Sequence, residues 1–302
     1  MKKKILITGG SGFIGSNLKN NLSNCDLSVL TVGRGEKEDC KIDLRDPRFK
    51  NIIEDFLPDV VCHFASGSNI MRANENKEKE FNDSVLSTES LNKNLSQLKS
   101  KPEKIIYLSS QAVYGLPECL PVPESHATHP KTIYGENKLK AENVIIKSSL
   151  NYVVFRISSV YGPMQDHQKS GVIAKFINRM KNNQSPVVFN SIDLYSDFIY
   201  VDDLVSAIVK VILNDPQVKN KIYNIGSGKP TTLKEILDIL YEYFPHAPEP
   251  EFKTNALYPD KEQKGLYLDV KKIQTELNWV TKYSIEEGLR LMVKNIKHVE
   301  KV

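Results

Sequence analysis

No stretch of this chain approaches the ~20 consecutive apolar residues needed to cross a bilayer, and the apolar run after Lys2–Lys3–Lys4 is shorter than the core of a secretion signal. A cytoplasmic protein with no membrane partner is the expectation. Cysteine is also scarce. Cys25, Cys40, Cys62 and Cys119 stand far apart, with no C-x-x-C pair and no nearby histidine spacing, which argues against a disulfide framework and against a zinc or other metal site. Charge of one sign is missing too: 41 Lys and Arg against 37 Asp and Glu are interleaved along the chain and leave a net charge of +4. Three lysines are too few for a nucleic-acid arm, so no nucleic-acid partner is expected. Internal repeats and low-complexity tracts are absent.

What remains is a chain of 302 residues, 40% hydrophobic and 26% charged, long enough to bury a substantial core. Its first half alternates short apolar runs with longer amphipathic stretches. Strands are predicted near Lys4–Thr8, Leu27–Val32, Val60–Phe64, Lys104–Leu108 and Val153–Arg156, the pattern of a parallel, doubly wound α/β sheet of Rossmann type. Helical spacing runs through Phe81, Val85, Leu91, Leu95 and Leu98, and again after Tyr134. Beyond about residue 160 prolines become frequent, and helix starts are marked at Asp202–Asp203 and by Thr232 and Glu235, spaced as a capping box. The expected organisation is a dinucleotide-binding domain over 1–160, with later segments at about 190–225 returning to it, and a smaller C-terminal α/β substrate lobe over 161–302.

Gly9, Gly12 and Gly15 lie where the first strand turns into a helix. Without Cβ atoms at that turn, a pyrophosphate can approach the helix N-terminus and its unpaired N–H groups, so the triplet points to NAD or NADP. The second strand closes on Val32–Gly33–Arg34–Gly35, with no carboxylate where one would hold the ribose hydroxyls of NAD. A guanidinium at Arg34 can pair with a 2′-phosphate, which favours NADP. Asp43 and Leu44 are placed to contact the adenine edge.

Tyr134 and Lys138 are four residues apart, on one face of a helix, where the lysine charge is expected to lower a tyrosine pKa that is ordinarily near ~10. A Tyr-x-x-x-Lys pair carries little alone. It gains weight from Ser110, at the carboxyl end of the preceding strand, the edge where doubly wound sheets hold ligands. Together they suit hydride-transfer chemistry: Tyr134 exchanges a proton with a substrate oxygen, Ser110 hydrogen-bonds that oxygen, and Lys138 stabilises the phenolate and grips the cofactor ribose.

The chain resembles the extended short-chain dehydrogenase/reductases of the NAD-dependent epimerase/dehydratase family, which act on nucleotide-diphosphate sugars. The resemblance runs through Thr8–Gly15, Asp43–Leu44, His63–Phe64–Ala65–Ser66, Ser109–Gly115, Tyr134–Lys138, Arg156 to Tyr161–Gly162–Pro163, Asp197–Asp203 and Tyr223–Gly228. It implies that Phe13, Ile14, Phe64, Ala65 and Ser66 join the cofactor site. It also implies a homodimer with a four-helix core formed by the stretches around Phe81–Leu98 and Lys131–Ser149.

Gln111 and Ala112 stand where related dehydratases and decarboxylases carry carboxylates, which disfavours elimination and decarboxylation. On the substrate side the resemblance points to Gln111, Ser159, Val172, Phe189 and Lys264. Ser159 and Ser196 replace an Asn and an Arg that normally help hold the sugar diphosphate, and Lys264 is the nearest cation to a second missing Arg. The leading expectation is a nucleotide-sugar C4 epimerase working through transient oxidation. The alternatives are an NADPH-dependent reductase of a nucleotide 4-keto-6-deoxyhexose and a non-catalytic dinucleotide sensor.

Overall fold

A computed structural model describes residues 2–67, 70–166, 171–213, 218–254 and 265–299. Its strands are β1 (Lys3–Thr8), β2 (Leu27–Gly33), β3 (Cys40–Lys41), β4 (Val60–His63), β5 (Lys104–Ser110), β6 (Tyr152–Ile157), β7 (Ser159–Tyr161), β8 (Val187–Phe189), β9 (Tyr195–Tyr200), β10 (Lys221–Ile225), β11 (Pro230–Thr232) and β12 (Glu251–Lys253). The chain divides into two compact units. One comprises Met1–Leu116, Glu124–Ile157 and Val205–Asn224; the other comprises Pro117–Pro123, Ser158–Leu204 and Ile225–Val302.

The first unit is built on a seven-stranded sheet in the order β3-β2-β1-β4-β5-β6-β10, with parallel pairing from β3 through to β6. Apolar runs make these strands because both faces of the sheet are covered. Ile5, Leu6, Ile7, Val60, Val61, Ile105, Ile106, Val153 and Val154 are all fully buried, each such side chain contributing about 1.5–3 kcal/mol. The helices Phe13–Leu22, Ser87–Ser96 and Ile133–Ile146 bury Leu18 and Leu22, Leu91 and Leu95, and Ala141 and Ile145. A π-helical turn, Asn82–Leu86, interrupts the stretch read as one helix from Phe81 to Leu98.

The strand order reverses between β1 and β4. In such sheets ligands bind outside the carboxyl ends of the strands at that reversal, here Thr8 and His63, which lie opposite each other.

The second unit holds a three-stranded sheet, β11-β9-β7, and the parallel pair β8–β12. The helices Val172–Lys181 and Leu233–Tyr243 and the helix starting at Ile285 pack around Phe176, Ile177, Leu237, Leu240, Leu289 and Met292. The capping box is present: Thr232 Oγ1 accepts from Glu235 N and the Glu235 carboxylate accepts from Thr232 N. Buried Asp197 accepts from Ser227 N, Ser227 Oγ, Gly228 N and Leu268 N, tying two segments to β9. Among the described residues no helix is long and apolar enough to cross a membrane, and no three His, Cys, Asp or Glu cluster as metal ligands.

Candidate active site

Gly9 follows β1 with φ +72°, and a Cβ there would lie 2.8 Å from Ala65 N, so the loop rests directly on the chain leaving β4. Thr8 Oγ1 fastens the same junction by accepting from Ala65 N at 3.2 Å. A Cβ at Gly15 would lie 2.7 Å from Gly10 Cα, so only glycine lets the helix start this close to the loop. The helix Phe13–Leu22 begins after an extended Gly12 with no capping side chain and no acidic residue in its first turn. Its first N–H groups therefore keep their positive end for an anion. The cradle fits the diphosphate of a nicotinamide dinucleotide. Phe13 and Ile14 on the first helical turn are half-buried, as are Phe64, Ala65 and Ser66 after β4.

At the edge of β2 the expected absence of a carboxylate does not hold. Glu38 folds back so that its Oε1 accepts from Ser11 N at 2.9 Å and Ser11 Oγ at 2.7 Å. Arg34 is drawn elsewhere: its Nη1 donates to Asp83 Oδ1 at 2.7 Å and lies 3.8 Å from Asp43. Asp43 takes two hydrogen bonds from the Arg45 side chain at 2.9 Å each, and that pairing holds its pKa down to about 2. Leu44 turns its side chain into the core, while its carbonyl accepts from Ser90 Oγ at 2.7 Å.

Ser110 ends β5, and its Oγ accepts from Ala112 N at 3.2 Å, which opens the short turn Gln111–Val113. Thr132 caps the helix that carries Tyr134 and Lys138, its Oγ1 accepting from Gly135 N at 3.1 Å. That helix starts against the Gln111–Val113 turn: a Cβ on Gly135 would lie 2.6 Å from Ala112 O. The close approach brings the Tyr134 hydroxyl into a hydrogen bond with Ser110. Lys138 Nζ donates to Ser66 Oγ at 2.6 Å and Leu108 O at 2.9 Å, and lies 5.8 Å from the Tyr134 ring centre. Ser110, Tyr134, Lys138 and Ser66 are thus brought together, with Gln111 next to Ser110.

Electrostatically the arrangement differs from the expectation that Lys138 lowers the Tyr134 pKa. Burial pushes Tyr134 up to about 12, the Ser110 hydrogen bond opposing it and the Glu80 charge adding to the rise. Desolvation brings Lys138 down to about 8, with Glu80 pulling the other way. Glu80 is itself buried, its Oε1 accepting from Ser84 Oγ at 2.8 Å, and burial raises its pKa.

The sequence reading assigned no role to several groups around this set. His63 is fully enclosed, with Nδ1 2.7 Å from Thr8 Oγ1 and Nε2 2.8 Å from Thr88 Oγ1. Glu142, one helical turn beyond Lys138, accepts from Arg156 Nη2 at 2.6 Å and Ser109 Oγ at 2.7 Å. Arg156 Nη1 donates to Tyr114 Oη at 3.1 Å, and Tyr114 donates to Asn224 Oδ1 at 2.6 Å. The i, i+4 spacing of Lys138 and Glu142 was a usable signal, since it puts both on one helix face.

The remaining expected residues belong to the second unit. Ser159 and Ser196 hydrogen-bond each other, Oγ to Oγ at 3.1 Å, across the β7–β9 pair. Val172 packs at the margin of that unit's core, and Phe189 is 40% exposed at the end of β8. Lys264 lies outside the described residues.

Residues 5–226 match the sequence model of the NAD dependent epimerase/dehydratase family. The chain is 34% identical to a putative UDP-glucose 4-epimerase of Methanocaldococcus jannaschii over 97% of its own length and 98% of that protein. It is 28% identical to a dTDP-4-dehydro-6-deoxyglucose reductase of Escherichia coli, over 98% of each. Among solved structures, the UDP-glucose 4-epimerase of Thermotoga maritima with UDP-glucose superposes with a TM-score of 0.89 at 27% identity, over 98% of this chain and 99% of that one. With a glycine cradle at the sheet's reversal point and a Ser-Tyr-Lys set beside it, the chain belongs to the NAD dependent epimerase/dehydratase family of enzymes.

Proposed function

We propose that the protein is a nucleotide-diphosphate-sugar epimerase acting at C4. The observation that carries this reading is the meeting of Ser110, Tyr134 and Lys138, a set that moves a proton on a substrate oxygen, while Gln111 and Ala112 supply no carboxyl acid or base for elimination or decarboxylation. Gly9, Gly12, Gly15, Phe13, Ile14, Phe64, Ala65 and Ser66 would hold the dinucleotide. When bound, that cofactor would supply the redox chemistry, reversible hydride exchange with the sugar C4.

The chain's own part is proton handling. With its pKa near about 12, Tyr134 carries its proton at neutral pH in the ligand-free protein, the form that protonates a returning alkoxide. In the forward direction it must ionise, and the Ser110 hydrogen bond is the interaction that favours the phenolate in the ligand-free protein, with the Lys138 ammonium one helical turn away. Lys138 keeps its charge below about pH 8. The Ser159–Ser196 pair offers two hydroxyls for the sugar diphosphate in place of charged donors, and Gln111, Val172, Phe189 and Lys264 complete the proposed substrate contacts.

The enzyme on this reading is a homodimer joined through the helical stretch from Lys77 to Ser96 and the helix Ile133–Ile146, whose Leu139 and Val144 stay only half-buried in the single chain. It works in the cytoplasm, where its free thiols stay reduced.

The second reading, an NADPH-dependent 4-keto-6-deoxyhexose reductase, is favoured by the similarity to the Escherichia coli reductase. One experiment separates the two. Protein with no added cofactor is incubated with UDP-galactose or dTDP-sugars and followed by NMR; the epimerase converts them to the C4 epimer with no net oxidation. Failure to convert any of them, together with stoichiometric NADPH consumption on a nucleotide 4-keto sugar, would replace the epimerase by the reductase.

A further inference from the structure

β2 closes on Gly33, a position with no side chain, and the space beside it is filled from another part of the chain. A Cβ on Gly33 would lie 2.8 Å from Glu38 Oε1, so the Glu38 carboxylate occupies the volume into which an acidic side chain at the strand end would project. Oε1 is fixed to the glycine loop through Ser11 N and Ser11 Oγ. The other oxygen, Oε2, is buried, has no hydrogen-bond partner, and lies 3.1 Å from where a Cβ on Gly10 would be. No cation pairs with this carboxylate among the described residues. A buried carboxylate oxygen without a donor is costly and is satisfied when one arrives.

We infer that Glu38 reads the adenosine ribose of the dinucleotide and selects NAD over NADP. In doubly wound sheets that ribose lies at the end of the second strand, beside the glycine turn. Its 2′-hydroxyl donates a hydrogen bond that a carboxylate accepts. A 2′-phosphate brings about two negative charges and no proton to give at neutral pH, so it is repelled.

Arg34, the residue that pointed to NADP, is already committed. Its guanidinium is bound to Asp83 and sits 3.8 Å from Asp43, so those two carboxylates, not a ligand phosphate, balance its charge. The inference rests on the dinucleotide cradle of the proposed function and adds its cofactor selectivity.

The test is calorimetric titration, without sugar substrate, of protein freed of carried cofactor. The ligands are NAD and NADP, and then ADP-ribose and its 2′-phosphate, which isolate the adenosine end. The wild type is expected to bind the ligand without the 2′-phosphate at least ~10-fold more tightly in each pair. Glu38→Gln, which keeps the shape and removes the charge, should shrink that ratio several-fold or more, with its melting temperature confirming the fold. Arg34→Ala should not weaken NADP binding.

A wild type that prefers NADP, a ratio unmoved by Glu38→Gln, or a ~10-fold loss of NADP affinity in Arg34→Ala would each overturn the inference. Because the wild-type ratio needs no variant, a misfolded Glu38→Gln does not rescue it. The titrations do not depend on turnover, so failure of the C4-epimerase reading shows in the NMR assay alone. Absence of binding by either dinucleotide would overturn both.

Discussion

His63 lets a pH dependence of stability be worked out from hydrogen bonds. Thr88 Oγ1 donates its proton to Ser84 O at 2.6 Å, so toward His63 it can only accept, and Nε2 must carry the imidazole proton. Nδ1 is then an acceptor, and Thr8 Oγ1 donates to it. Both ring nitrogens are satisfied in the neutral form. A second proton would turn Nδ1 into a donor facing a hydroxyl that already accepts from Ala65 N. Burial, with the Lys138 charge adding to it, pulls the pKa from 6.5 down to about 3; the other close neighbour is the Tyr107 ring, 5.6 Å away.

The sign follows from linkage. Below pH 6.5 the unfolded chain binds a proton that the folded chain refuses until about pH 3, so stability falls as pH falls through that window and is unaffected above it. At pH 5 the unfolded state gains RT ln(1 + 10^1.5), about 2 kcal/mol. Urea unfolding at pH 8 and pH 5 measures this in the wild type and in His63→Asn, whose carboxylates titrate alike. The wild type should lose about 2 kcal/mol more than the variant over that interval. Equal losses, within about 0.5 kcal/mol, would refute the reasoning, as would ¹⁵N shifts placing the proton on Nδ1.

Tyr134→Phe should lower epimerase turnover by ~10²-fold or more with dinucleotide affinity within a few-fold of wild type, measured by steady-state kinetics and calorimetry; unchanged turnover would remove Tyr134 from the chemistry. Glu142→Gln leaves the buried Arg156 guanidinium without a counter-charge and should cost roughly 3 kcal/mol or more in urea unfolding, whereas a loss under about 1 kcal/mol would mean that solvent reaches the pair. Gly15→Ala pushes a methyl into Gly9 O and Gly10 Cα and should weaken NAD binding by ~10-fold or more; an affinity equal to wild type would mean that the loop yields freely.

The parts of this molecule that were legible in the sequence are those set by near neighbours along the chain. Short apolar runs located β1, β2, β4, β5 and β6 because a strand covered on both faces must be apolar throughout, and the Thr232–Glu235 spacing specified a capping box because both partners lie within one helical turn. Gly9 to Gly15 announced a cradle for the same reason. The structure departs from the sequence reading over charge, whose meaning depends on groups remote in sequence. Tyr134 was expected to be acidified by Lys138, four residues away, yet the packing around the hydroxyl dominates and Glu80, from a different helix, adds to the rise.

Arg34 looked like a phosphate ligand when read beside Gly33 and Gly35, but its partner is Asp83, 49 positions along the chain. Glu38 was passed over for the complementary reason. In sequence it is one acid in the loop Glu36–Lys37–Glu38–Asp39, with nothing to set it apart from its neighbours. Only the return of that loop onto Ser11 puts one of those acids beside the glycine turn, while Asp39 turns to Thr31 and Lys19. A side chain missing at a strand end is therefore weak grounds for a missing function, because a loop of a few residues can deliver the same group into the same volume, and a glycine is what leaves room for it.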